Sequence, residues 1–255
     1  MGQTTEQYLD GWQGLRVLVI GEAMLDSYWW GRARRLSPEA PVPVVDFLKQ
    51  EEVPGGAANV AANLSNLGAI PIFLSAIAAD AEGIRLKQVL EHHQVSPEFL
   101  VVAASRRTLA KQRVIGDAQI LVRLDRGSTE TLDFPTETAL CASLEAQFPT
   151  CDAVIISDYG YGILTPTVIA TLAKLQSQTP RPLIADAKNF APYRSAGLTA
   201  IKPNYEQAIA LLNLPKLSGS ERLAQIEANG DNLLKIAGVN WAAVTLDIDG
   251  AIRPV

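Results

Sequence analysis

The sequence predicts an α/β fold: a doubly wound, mainly parallel sheet with helices on both faces and a small β lid. Three observations predict it. Short β-rich runs alternate with helical patterns in βαβα order. Most of those runs are apolar throughout, as in a parallel sheet covered on both sides. One run after another is followed by a polar residue, and open α/β sheets bind ligands beyond the carboxyl ends of their strands.

Taken in order, residues 1–13 read as a polar tail without the apolar stretch of a signal peptide. The strand candidates are 16–20 "RVLVI", 72–77 "IFLSAI", 153–157 "AVIIS", 182–186 "PLIAD", 199–202 "TAIK" and 241–246 "WAAVTL". Helical patterns fall near 57–67, 83–93, 136–147, 166–177, 204–213 and 220–237. Two stretches break the rhythm. Residues 37–53, "SPEAPVPVVDFLKQEEV", are extended and proline-rich at the start. Residues 108–125 alternate and carry a turn at "IGDAQ". Both read as strands outside the main sheet, with lid segments set at about 37–53 and 98–125.

Hydrophobic residues make up 48% of the 255, enough for a sizeable core, and a net charge of −5 with no basic run argues against nucleic acid or an anionic membrane as partner. The longest apolar run, "AIPIFLSAIAA", is too short to span a bilayer. Cys141 and Cys151 have neither metal-ligand nor CxxC spacing; reduced thiols of a cytoplasmic protein are expected.

Function is sought at the strand ends. Glu22 and Asp26 follow the first strand, Asp80 the second and Asp158 the third. Asp186 ends the fourth and Lys188 comes after it, while Lys202 and Asn204 follow the fifth. Asp and Asn also terminate strands as plain turn residues; it is the repetition along one edge that favours a site. The stretch "PGGAANVAAN" adds a second feature. Gly55 and Gly56 permit close backbone approach, and the helix behind them starts with free N–H groups. Asn59 and Asn63, four apart, share a face, and amides suit sugar hydroxyls. A packing helix of small residues explains the same pattern. The pattern is not GxGxxG, so a dinucleotide turn is not supported.

These residues resemble a known family. "PGGAANVAANLSNLG" is similar to the first signature of the ribokinase-like (PfkB) sugar kinases. "GEAMLDSYWWGRARRLSPEAPVPVV", "KQRVIGDAQILVRLD", "SDYGYGIL" and "ADAKNFAPYRSAGLTAIKPN" resemble, in order, the heptose-7-phosphate kinase branch. The likeness spans 14–255. It implies a ribokinase-like sheet with a β lid that can carry a homodimer contact. It also implies transfer of the ATP γ-phosphoryl to heptose 7-phosphate, giving the 1,7-bisphosphate on the route to ADP-heptose and lipopolysaccharide. By the resemblance, Asp26, Gly55, Gly56 and Asn59 hold sugar hydroxyls, Lys111 and Arg113 take the sugar phosphate, and Asp158 lies near the sugar. Asp186, Lys188, Asn204 and the turn Tyr205, Glu206 and Gln207 face ATP and Mg²⁺.

The sequence also departs from that pattern. Gln207 stands where the family has a carboxylate, Tyr161 where it has a lysine, "DAK" where it has Asp-Pro-Lys, Asp247 where it has a glycine, and Ala78 at the head of its GxDxxG. The family's Gly-Ala-Gly-Asp, with its general-base aspartate, belongs beyond Val255. The expectation is therefore a C-terminally incomplete kinase domain with no catalytic base of its own and impaired turnover, or else an inactive sugar-phosphate-binding relative or partner subunit.

Overall fold

The structure, a computed structural model, describes residues 10–253. The first nine residues of the expected tail, and residues 254–255, lie outside the described part. The chain opens with β1 (Arg16–Gly21), whose alternation divides the core. Val17 and Val19 pack into one hydrophobic cluster, Leu18 and Ile20 into the other, so both faces of the strand are covered. Next come β2 (Ala23–Leu36) and β3 (Pro43–Gly56), a long antiparallel pair. Helix α1 (Ala57–Asn66) follows directly and buries Ala57, Ala58, Ala61, Ala62 and Leu64. Then β4 (Ile70–Ile77), α2 (Ala81–His92) and the short β5 (Leu100–Val102) complete one wing.

The hairpin of β6 (Leu109–Gly116) and β7 (Gln119–Arg126) turns at Asp117 and Ala118, both at positive φ, as the expected "IGDAQ" turn requires. The other wing runs through α3 (Phe134–Gln147), β8 (Ala153–Asp158), α4 (Pro166–Gln178), β9 (Leu183–Ala187), β10 (Ala200–Ile201), α5 (Tyr205–Leu212), α6 (Glu221–Ala228), α7 (Gly230–Ala237) and β11 (Trp241–Ala242). A small antiparallel pair, β12 (Val244–Thr245) and β13 (Ala251–Ile252), ends the described chain. Side chains start several of these helices: Asp80, Asp133 and Thr165 accept backbone N–H groups three residues on.

The main sheet has seven strands in the order β11-β10-β9-β8-β1-β4-β5, and every pairing in it is parallel. One cluster packs α3, α4, α5 and α7 on one face; the other packs α1 and α2 on the opposite face. This is the predicted doubly wound α/β architecture. From β1 the chain winds outward to β4 and β5, then returns to β8 on the other side. The switch point therefore lies beyond the carboxyl ends of β1 and β8, where Gly21 pairs with Ser157.

The second sheet, β3-β2-β6-β7, is the lid. It is wider than 37–53 and 98–125 suggest. Its central strand β2 was not expected, because "AMLDSYWW" starts buried in the main core and only then emerges, so its pattern mixes both environments. Residues 100–102 belong instead to the edge of the main sheet, paired with β4. The single helix expected over 220–237 is two, broken at Asn229, and the strand expected over 241–246 is split between two sheets.

Candidate active site

At the switch point a buried carboxylate organises the backbone. Glu22, fully buried, accepts N–H groups from Tyr159 (2.7 Å), Tyr161 (3.0 Å) and Ile163 (3.4 Å). Burial pushes its pKa up; the three N–H groups pull it back, and the nearby Asp158 charge adds to the rise. Arg106 ties the same loop from the other side, donating to the carbonyls of Tyr161 (2.8 Å), Ser128 (2.9 Å) and Glu130. The loop after β8 is thus held by two charged side chains from distant parts of the chain. Glu22 is visible in the sequence only as a polar residue after a strand, and Arg106 carries no local signal.

Lid residues of one face meet this loop. Asp26, Tyr28 and Trp30 lie on one side of β2, level with Lys111, Arg113 and Ile115 of β6. Arg113 donates to Asp26 at 2.7 Å and lies 5.2 Å from the centre of the Tyr28 ring. The Asp26 carboxylate also sits over Gly55: a Cβ built there would meet its oxygen at 2.5 Å. Gly56 takes φ +59°, and its Cβ would strike the Glu22 carbonyl at 2.5 Å, so no other residue turns β3 into α1 without strain. The first N–H of α1 is taken by that carbonyl (2.9 Å). Asn59 and Asn63 are exposed on α1, free of the apolar packing around its small residues. Asp26, Gly55, Gly56, Lys111 and Arg113 are therefore brought together at the lid base, with Asn59 on the helix behind them.

The other half of the edge lies along β8, β9 and α5. Asp158 accepts from Gly160 N–H (2.7 Å) and from the Tyr193 hydroxyl (2.6 Å). Burial, reinforced by the Asp158 charge, holds the Tyr193 pKa far above the usual phenol range, so it remains the donor. Asp186 pairs with Lys202 at 2.9 Å. Lys188, exposed, lines a cleft of about 520 Å³ with Asn189, Phe190, Asn204, Glu206 and Gln207. Asn204 and Gln207 form a capping box: each side-chain oxygen accepts the other's backbone N–H, at 2.9 and 2.8 Å. Gln207 also donates to the Ala187 carbonyl at 3.2 Å. Glu206 pairs with Lys216.

Tyr205 departs from the expected arrangement. Its side chain is buried and its hydroxyl joins Gln225 (2.7 Å) and the Leu217 N–H (2.8 Å), so it packs α5 on α6 and leaves the cleft to its neighbours. Asp80 is a plain cap, engaged by Gly83 and Thr108 N–H groups.

Lys111 and Lys188 both approach the Tyr161 ring, at 5.4 and 4.6 Å from its centre. In the sequence Tyr161 is an aromatic between two glycines, at the position where the resembled family has a lysine. Among the described residues no three acidic, histidine or cysteine side chains converge as a metal site, and no helix is long and apolar enough to cross a membrane.

A doubly wound, seven-stranded parallel sheet flanked by helices, with a β lid beside its switch point, is the ribokinase-like class of fold. Residues 15–253 match the model of the pfkB family carbohydrate kinases, and the chain belongs to that family. It is 38% identical over 237 residues to the bifunctional protein HldE of Desulfatibacillum aliphaticivorans, covering 92% of this chain and 47% of that protein. To the bifunctional protein HldE of Trichlorobacter lovleyi it is 36% identical over 238 residues, with the same coverage, 92% and 47%. The chain thus spans about half the length of the curated relatives it matches. Among solved structures, phosphofructokinase-2 from Escherichia coli in complex with fructose-6-phosphate matches with a TM-score of 0.66 at 19% identity, over 94% of this chain and 76% of that one. Ribokinase from Arabidopsis thaliana complexed with ribose and ATP matches at 0.64 and 17%, over 95% and 75%. At such identities these structures speak for the fold.

Proposed function

We propose that this chain binds a sugar phosphate, heptose 7-phosphate, under the lid and directs its hydroxyl at ATP, in a step toward ADP-heptose and lipopolysaccharide. The observation that carries this reading is the row Asp26–Arg113–Lys111 over the Gly55–Gly56 turn, facing Lys188 across the loop after β8. A carboxylate accepts from sugar hydroxyls, the bare glycine backbone lets a ring come close, and the guanidinium and ammonium groups neutralise a phosphate ester. In this reading Asn59, exposed on α1, and Asp158, at the end of β8, also take part in holding the sugar.

On the donor side, Lys188 and the amides of Asn204 and Gln207 line a cleft large enough for nucleotide phosphates. Its donor chemistry fits ATP, with Glu206 in its lining and Asp186 on β9, two residues before Lys188, and bound ATP would supply the transferable phosphoryl group. Mg²⁺ commonly keeps several waters and binds through substrate phosphates, which suits a cleft without a carboxylate cluster. Such transfer depends mainly on positioning and charge neutralisation, the work these side chains are placed to do. Cys141 and Cys151 are free thiols whose pKa values are raised, chiefly by burial, in keeping with a cytoplasmic protein.

A second reading is favoured by a specific observation. Among the described residues the edge carboxylates are already engaged: Asp26 by Arg113, Asp158 by Gly160 and Tyr193, Asp186 by Lys202, Glu206 by Lys216. A chain that binds the sugar phosphate with impaired or no turnover, as a sensor or partner subunit, fits that commitment. ADP release measured with heptose 7-phosphate and Mg·ATP separates the two. Heptose-dependent release supports the kinase; binding of the sugar phosphate without release supports the binder. Failure to bind either ligand contradicts both.

The outer face of the lid supports a homodimer. Trp29, Phe47 and Leu124 are exposed there, and the Trp29 and Phe47 rings meet edge to face at 6.1 Å.

A further inference from the structure

Tyr161 reaches both sides of the edge. Lys111 comes from the lid strand β6 and Lys188 from just beyond β9, yet both ammonium groups lie within cation–π range of its ring, 5.4 and 4.6 Å from the centre. Lys111 is also 5.9 Å from the Tyr159 ring. Neither ammonium has a hydrogen-bond or ion-pair partner among the described residues; the aromatic faces are their neighbours.

The ring is placed by its backbone. The Tyr161 N–H donates to Glu22 at 3.0 Å and its carbonyl accepts from Arg106 at 2.8 Å. Gly160 and Gly162 on either side hold φ of +70° and +82°. The side chain itself makes no hydrogen bond that fixes the loop, so its removal leaves those ties intact. Two cations gathered on one ring repel each other, and the π face offsets only part of that repulsion. A group with several negative oxygens, placed between them, cancels it.

We propose that Tyr161 is a positioning residue whose ring holds Lys111 of the lid and Lys188 of the sheet edge on one phosphoryl group, a phosphate ester or anhydride. The proposal rests on the kinase reading for the origin of that group, sugar phosphate or nucleotide; the receptor itself needs no turnover.

The test is calorimetric titration of the purified chain with inorganic pyrophosphate at low salt. Tyr161→Phe keeps the ring and is expected to bind within about twofold of wild type. Tyr161→Ala is expected to bind roughly five- to thirtyfold more weakly, the loss of two cation–π contacts, with an unchanged unfolding temperature. Wild-type affinity in Tyr161→Ala overturns the proposal, and so does an equal loss in Tyr161→Phe. Should Tyr161→Ala not fold, Lys111→Met, Lys188→Met and their double variant decide. Two lysines on one group lose less together than the sum of their separate losses; strict additivity overturns the proposal.

Repeating the series with heptose 7-phosphate and with ATP names the source of the phosphoryl group. A Tyr161-dependent loss with either supports the proposal, and loss with neither overturns it. Ring-dependent pyrophosphate binding in a chain that never releases ADP would leave the receptor standing while the kinase reading fails.

Discussion

At the residue scale, two carboxylates do opposite work. Asp26 and Arg113 are both about four-fifths buried and pair at 2.7 Å, so removing one partner strands the other. Asp26→Asn is expected to weaken sugar-phosphate binding by roughly tenfold or more and, by leaving the Arg113 charge without its counter-charge, to lower stability by about 1–3 kcal/mol; calorimetric titration beside denaturant unfolding checks both. Glu22 instead serves the backbone. Glu22→Gln replaces one acceptor oxygen by a donor facing the Tyr159 N–H, and should cost about 1–3 kcal/mol of stability by denaturant unfolding. Its pH dependence has a definite sign. The folded-state pKa is raised, so the native state binds the proton more tightly. The stability it contributes is whole below the ordinary carboxylate range and is lost as pH rises through the folded value. The deficit of Glu22→Gln relative to wild type should therefore be largest in acid and shrink as pH climbs past that window. Asp26 was legible because it follows a strand within a familiar stretch. The part played by Glu22 was hidden, since its partners lie more than 130 residues away in sequence.

At the scale of elements, caps and alternation were legible and mixed environments were not. The small-residue helix α1, the apolar strands β1, β4 and β8, and the turn between β6 and β7 follow from local chemistry. Strand β2 escaped because one strand serves two sheets' surroundings, buried at its start and exposed at its end. Gln207 shows how a residue that departs from the family pattern and lines the cleft also has a structural part that its sequence position hides. It closes the capping box of α5 and also bonds β9 through Ala187. Gln207→Glu keeps the capping acceptor but turns the Ala187 contact from attraction into repulsion. It should destabilise by about 1–2 kcal/mol in denaturant melts. Asn204→Ala should cost about 0.5–2 kcal/mol by losing the cap itself.

At the scale of the molecule, the winding order decides where chemistry can sit. Because the chain reverses between β1 and β8, the Glu22 loop, the lid base and the Lys188 cleft meet along one edge. The repetition of polar strand ends made that edge legible in the sequence; which side chains are free there and which are tied to neighbours needed the three-dimensional pairing. The lid's exposed apolar face belongs to the same scale. Trp29→Asp should shift the chain from dimer to monomer in analytical ultracentrifugation, whereas a monomeric wild type would remove the lid contact. The most direct test of the whole account is titration of heptose 7-phosphate into the wild-type chain and into Arg113→Met. Saturable one-site binding by the wild type is expected, weakened at least tenfold in the variant. Absence of binding, or equal binding by both proteins, would contradict it.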